Sequence, residues 1–182
     1  RDAIDTDIVW NGRTIKLIDT AGLRRKSRID SDVERYSVLR ALRAAERSNV
    51  CVLVIDATEG VTEQDKRIAG IPHETGKAVV IVVNKWDLIE KDSNTMQQFD
   101  EHIRWELSFI QYAPTVYISA LTGQRVHKVL ETVEYVAEQA AMRVRTSRLN
   151  EVIQEAMLLH QPPSHKGKSL KVLYAQQIGV NP

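Results

Sequence analysis

From Ile4 to Trp10 the chain alternates apolar with polar residues, meets Asn11-Gly12, and resumes as a strand-like run from Thr14 to Ile18. Alternation predicts half-buried strands, and Asn-Gly between two of them predicts a tight hairpin, because both turn residues must take positive φ. Two later runs differ: Val50 to Ile55 and Ala78 to Val83 are apolar without interruption and rich in β-branched residues. That is the pattern of parallel strands buried on both faces. Val116 to Ser119 predicts a further short strand. Helical spacing appears in Val33 to Arg47 (Val38, Leu39, Leu42, Ala45), in Thr62 to Thr75 with Thr62 as N-cap, in Thr95 to Ile110 (Phe99, Ile103, Leu107, Ile110) and in Val126 to Ala141. Strands alternating with helices predict an α/β fold with a mostly parallel, doubly wound sheet. Pro72 conflicts with its helix, since it lacks a donor and clashes with the preceding turn, so a kink or a stop is expected there.

The patterning divides the chain into a domain over residues 1–141, a basic joint over 142–147 and a second, α+β domain over 148–182. Arg148 to His160 reads as a helix with Leu149, Val152, Ile153, Ala156 and Leu159 on one face and Ser147 as N-cap. Pro162-Pro163 ends it, and Ser169 to Ile178 has strand character. A helix and one strand cannot bury a core alone, so the second domain is expected to be cut short.

Composition adds little: 182 residues with 43% hydrophobic and 27% charged side chains are ordinary for a globular chain. The longest apolar run falls far short of the ~20 residues of a membrane span, and no charged-then-apolar leader opens the sequence. A cytoplasmic protein without membrane contact is expected. Cys51 is the only cysteine and sits inside an apolar strand run, which suits a small buried hydrophobe. Charge is uneven. Residues 142–182 carry six basic side chains against Glu151 and Glu155, whereas the rest of the chain carries 19 basic against 22 acidic. A basic tail on a mildly acidic domain suits contact with a polyanion, and solvated charge is the simpler alternative.

Three short motifs follow strands. Asp19-Thr20-Ala21-Gly22 stands where ligands bind in open α/β sheets, the carboxyl ends of strands. In a phosphate site the Asp19 carboxylate would hold Mg²⁺ through water, and Gly22 would let the backbone approach a γ-phosphate. Such a pair occurs by chance roughly once in a few hundred residues. Asn84-Lys85-Trp86-Asp87 is far more specific, on the order of one in 10⁴ positions. The Asp87 carboxylate can accept both adjacent guanine donors, N1–H and the 2-amino group, whereas adenine presents an acceptor at N1. Asn84 can tie loops together and reach the base, the Lys85 stem can lie along its face, and Trp86 is expected as a loop aromatic nearby. Ser119-Ala120-Leu121 ends the next strand, where the Ala120 N–H could donate to the guanine 6-oxo group.

These motifs resemble the third, fourth and fifth signatures of the translation-factor-like GTPases. The fuller strings Asp19 to Lys26 and Val82 to Leu88 closely resemble the second G domain of the tandem GTPase family Der, also called EngA. The likeness continues into the tail, where Leu170 to Val180 looks like the first strand of that family's C-terminal KH-like domain. The resemblance implies a P-loop-type G domain that binds GTP and GDP with Mg²⁺ through Asp19, Thr20, Ala21, Gly22, Leu23, Asn84, Lys85, Trp86, Asp87, Ser119 and Ala120. It implies slow GTP hydrolysis in maturation of the large ribosomal subunit, with ribosomal RNA and the large subunit as partners and a first G domain elsewhere in the complete protein. Leu23 stands where small GTPases of the Ras type place the glutamine that orients the attacking water. No catalytic side chain is therefore assigned, and the resemblance implies another arrangement, in some members with a monovalent cation such as K⁺.

A phosphate-cradling loop, Gly-x-x-x-x-Gly-Lys-Ser/Thr, should precede all of this. Gly167-Lys168-Ser169 is a decoy, with Pro162 five positions before Gly167 and no strand leading in. Arg1-Asp2 resembles the end of the family's first switch. The first strand, phosphate loop and first helix are thus expected to be absent, leaving 13–18 and 50–55 either a strand-wide gap apart or collapsed together. This chain alone is expected not to bind GTP usefully. Arg24, Arg25, Lys26 and Arg28 form a basic cluster that suits RNA, a partner domain or solvent. The five histidines show no metal-ligand spacing, and Trp10 and Trp105 are expected to pack structurally. An alternative reading is an RNA-binding scaffold whose KH-like module is gated by the nucleotide. Against it, residues 148–182 contain no Gly-x-x-Gly clamp.

Overall fold

The computed structural model describes residues 5–18, 42–164 and 170–180. Strands β1 (Asp5–Trp10) and β2 (Arg13–Ile18) form the expected hairpin, in register from Asp5 opposite Ile18 to Trp10 opposite Arg13. Its turn is the predicted one, with Asn11 at φ 48° and Gly12 at φ 75°. Residues 42–47 are helical (α1). A separate three-stranded sheet follows, β3 (Val50–Asp56), β4 (Ala78–Asn84) and β5 (Thr115–Tyr117), parallel and in that spatial order. Strands β2 and β3 do not pair, and among the described residues no strand lies between them, so they have not collapsed together.

β4 explains why this sheet needs an uninterrupted apolar run. Val79, Ile81 and Val83 face one core with Leu53 and Ile55 of β3, Ala69 of α2 (Glu63–Glu74) and Ile103 of α3 (Thr95–Glu106). Val80 and Val82 face the other, against Ile118, Val116 and the stripe Val129, Val133 and Val136 of α4 (Val126–Ala140). Both Val80 and Val83 are 0% exposed. Each fully buried side chain of this kind stabilises by roughly 1.5–3 kcal/mol. The hairpin instead meets α4 through polar groups. Arg13 pairs with Glu134 at 3.0 Å and Glu138 at 3.1 Å, and Asn11 Nδ2 donates to Glu134. Exposed pairs of this sort contribute about 0–1 kcal/mol each.

Thr62 caps α2 through a capping box: its hydroxyl oxygen accepts from the Asp65 N–H while Asp65 Oδ2 accepts from the Thr62 N–H at 2.9 Å. Pro72 neither breaks nor stops this helix, which continues to Glu74. The proline is buried in the last turn, where its packing offsets the lost donor and the crowding of the preceding turn. Gly76, at φ 66°, then turns the chain so that the Lys77 N–H reaches the Pro72 carbonyl at 2.8 Å. The predicted helix from Thr95 to Ile110 ends at Glu106 and is followed by a separate 3₁₀ turn, Ser108–Ile110.

Contacts divide the chain into Arg1–Gln139 and Ala140–Pro182. In the second unit α5 spans Thr146–Leu159, with Arg145 at the N-cap and no capping side chain, so Ser147 lies inside the helix rather than before it. Residues 170–180 contain no strand, contrary to the expectation. A strand needs a neighbouring backbone, and here side chains substitute for one. Asn150 takes both backbone groups of Ala175, accepting its N–H at 2.8 Å and donating to its carbonyl at 2.9 Å. Gln154 donates to the Val172 carbonyl at 3.1 Å. No helix among the described residues is long and apolar enough to cross a membrane.

Candidate functional site

The carboxyl ends of β3, β4 and β5 bring Asp56, Asn84–Asp87 and Ser119-Ala120 together. Their mutual placement is fixed by backbone bonds: Ala57 N–H donates to the Asn84 carbonyl at 2.9 Å, and Trp86 N–H to the Ile118 carbonyl at 3.0 Å. Asn84 Oδ1 accepts from the Ala120 N–H at 2.9 Å, so Asn84 is the tie between loops that its residue type suggested. That bond engages the N–H expected to donate to a 6-oxo group; in this structure it serves the loop. Ser119 is buried, and its hydroxyl accepts from the Thr122 N–H at 3.2 Å, closing the turn after β5.

Lys85 takes φ 63°, the left-handed region, which costs a non-glycine residue roughly 1–2 kcal/mol. The bend lets β4 end abruptly and starts the 3₁₀ turn Trp86–Leu88 that carries Asp87. Asp87 Oδ1 is buried and, among the described residues, has no hydrogen-bond partner. A buried acceptor without a donor is unfavourable by about 1–3 kcal/mol, a cost that a donor from a ligand would relieve. Adjacent N–H donors such as those of guanine fit this carboxylate.

Trp86 is not a loop aromatic beside a base. Its side chain is 3% exposed and belongs to the core, edge-on to Phe99 at 5.0 Å and tilted against Tyr117 at 4.5 Å. It anchors the loop from below. Burial pushes the Tyr117 hydroxyl up to about 12, helped by the nearby Asp100 charge. Trp105, expected to pack, is instead largely exposed on α3.

Asp19, Thr20, Ala21, Gly22 and Leu23 lie outside the described residues, as do Arg24, Arg25, Lys26, Arg28 and His165. Among the described residues no group of three or more His, Cys, Asp or Glu side chains is placed to hold a metal ion. Cys51 is half-buried with its thiol 3.3 Å from the Ser48 hydroxyl, and burial raises its pKa.

Asp56 and Thr58 are the residues that motif reading missed. Asp56 is 1% exposed at the end of β3. Its Oδ2 pairs with Lys85 Nζ at 2.6 Å, and its Oδ1 accepts from the Thr58 N–H and hydroxyl at 3.0 and 2.7 Å. The sequence signal was only a single charge closing an apolar strand; its level with Asn84 comes from the sheet register.

Residues 2–139 match the model of the elongation factor Tu GTP binding domain, and residues 143–182 match that of the KH-domain-like region of EngA bacterial GTPase enzymes, C-terminal. The whole chain is 62% identical to GTPase Der of Alkaliphilus oremlandii and 58% identical to GTPase Der of Caldanaerobacter subterraneus. It spans 41% and 42% of those relatives' lengths. Among solved structures, Era in complex with MgGDPNP and nucleotides 1506–1542 of 16S ribosomal RNA is similar, with a TM-score of 0.60 and 26% identity. That match covers 75% of this chain and 44% of Era. Aquifex aeolicus Era bound to GDP.AlF4- is similar over the same shares, with a TM-score of 0.61. A parallel sheet whose strand ends carry the Asn84–Ala120 tie and the turn that bears Asp87, matched over residues 2–139, places this chain in the family of the elongation factor Tu GTP binding domain.

Proposed function

We propose that the whole protein binds and hydrolyses GTP and serves in assembly of the large ribosomal subunit in the cytoplasm. The observation that carries the nucleotide part is Asp87 Oδ1, buried and without a donor among the described residues, in the loop that follows Asn84 and its tie to Ala120. Asp87 would accept from N1–H and the 2-amino group, Asn84 and Lys85 would hold the loop around the base, and the Ser119-Ala120 turn would close its far side. GTP and GDP would bring Mg²⁺, held through water by Asp19, with Thr20, Ala21, Gly22 and Leu23 passing along the terminal phosphates. The Leu23 side chain cannot orient water by hydrogen bonding, so no side chain is assigned to the catalytic water, and a monovalent cation such as K⁺ is a candidate. The RNA part rests on the basic excess over residues 142–182, the match there to a KH-like region, and the RNA-bound state of Era. The same basic excess favours a second reading, in which the nucleotide gates RNA binding with little turnover. GTP turnover of the full-length protein, with and without ribosomal particles, separates the two.

The base assignment is tested by Asp87→Asn. The amide supplies one acceptor and one donor, which mismatches guanine's amino group but matches xanthine at both positions. Losing a charge-assisted bond and gaining a donor–donor clash costs guanine about 2–4 kcal/mol. GTP binding should weaken roughly 30- to 1000-fold while xanthosine triphosphate binding improves. Competition between the two nucleotides in the full-length protein checks this, and an unchanged preference for GTP would remove Asp87 from base reading.

A further inference from the structure

Asp56 is the charged group at these strand ends that none of the three motifs contains. Resting on the guanine reading above, we propose that Asp56 is a positioning residue for the base: its buried carboxylate holds the Lys85 ammonium at the end of β3 and thereby fixes the loop from which Asp87 meets the purine. The carboxylate cannot drift relative to that loop. Asp56 lies opposite Asn84 in the parallel register, and the next residue, Ala57, donates its N–H to the Asn84 carbonyl. Thr58 orients the group by giving Oδ1 two donors, which directs Oδ2 to Lys85 Nζ at 2.6 Å. Lys85 needs such a hold, because its backbone is left-handed and its flexible side chain is 44% exposed. With the ammonium drawn onto β3, the stem is ordered before any ligand arrives, which is preorganisation of the base subsite. The same pairing directs that positive charge to Asp56, so GDP and GTP should depend on Asp56 equally.

The test uses the full-length protein and displacement of a fluorescent guanine nucleotide by GDP and by GTP. Asp56→Asn keeps the side chain's size and removes its charge, and should weaken both nucleotides by the same factor, about 10-fold. In a Lys85→Met background the same change should alter affinity by less than about 2-fold, because its effect passes through the lysine. Thr58→Val, which alters neither Lys85 nor any group assigned to the nucleotide, should weaken binding about 3-fold. A merely structural role would lower the unfolding midpoint and leave the Asp56 and Lys85 losses additive. Additive losses overturn the proposal, as do losses that differ more than about 3-fold between GDP and GTP. Should Asp56→Asn fail to fold, Thr58→Val decides, and wild-type affinity in that variant overturns the proposal. Absence of guanine-nucleotide binding by the wild-type protein would overturn the guanine reading and this inference with it, whereas wild-type binding with additive losses overturns the inference alone.

Discussion

Two segments of this chain look alike as sequence and behave in opposite ways. Ala78–Asn84 and residues 170–180 both have strand character, the second interrupted by Lys171, Gln176 and Gln177, yet the first forms the central strand of its sheet and the second forms no strand. β4 has a backbone neighbour on each side and an apolar layer on each face. Residues 170–180 have the Asn150 and Gln154 side chains in place of a strand, and leave Leu173 89% and Ile178 98% exposed. Strand propensity describes a side chain's fit to a pleated, half-buried surface. Where no such surface is offered, strand-prone residues form no ladder.

The contrast is broken most severely from the β4 side. Val83→Asp would put a carboxylate at a fully buried position of the core, and should destabilise the first unit by more than about 4 kcal/mol. Denaturant unfolding would show it, and a loss below about 1 kcal/mol would mean that the core is looser than its burial indicates. Next comes Asn150→Ala, which strips both bonds from the Ala175 backbone. A cost of about 1–3 kcal/mol to the second unit is expected, together with loss of hydrogen-exchange protection at the Ala175 amide.

Tyr117 gives a pH-dependent measure of the same core. Its folded pKa is raised to about 12 against the ordinary 10, so the folded state holds the phenolic proton more tightly than the unfolded state. The contribution is complete below pH ~10 and is lost as pH rises through ~12. The unfolding midpoint should therefore fall across that window, and Tyr117→Phe should flatten the fall. At neutral pH the same substitution should change stability little, because the hydroxyl is buried without a partner among the described residues. Smallest of all is Leu173→Asp. At a position so exposed, a shift within about 0.5 kcal/mol is expected, and a larger loss would show that residues 170–180 are covered after all.

Much of the candidate site was legible because its chemistry sits in contiguous residues. Asn84 to Asp87 forms one short string after an uninterrupted apolar run, and Asn84, Lys85 and Asp87 at that spacing suggest a reader of paired donors. The hairpin at Asn11-Gly12 and the cap at Thr62 were equally local, since each depends on residues at most three apart. Asp56 was not legible in the same way, because its role requires the register that sets it opposite Asn84 and within reach of Lys85.

The sequence by itself determined the period of each segment, the turn chemistry, the two-faced burial of β4 and the motif order. These follow from the intrinsic geometry of a strand or helix and from side-chain chemistry. Only the tertiary structure decided which way Trp86 points, what the Ala120 N–H bonds to, whether Pro72 ends its helix and whether residues 170–180 become a strand. Each of those outcomes depends on a partner distant in the chain or on the packing that offsets a local cost. Phe99 and Tyr117 draw the indole inward, Asn84 accepts the amide, burial accommodates the proline, and Asn150 and Gln154 take the backbone groups that a neighbouring strand would otherwise hold.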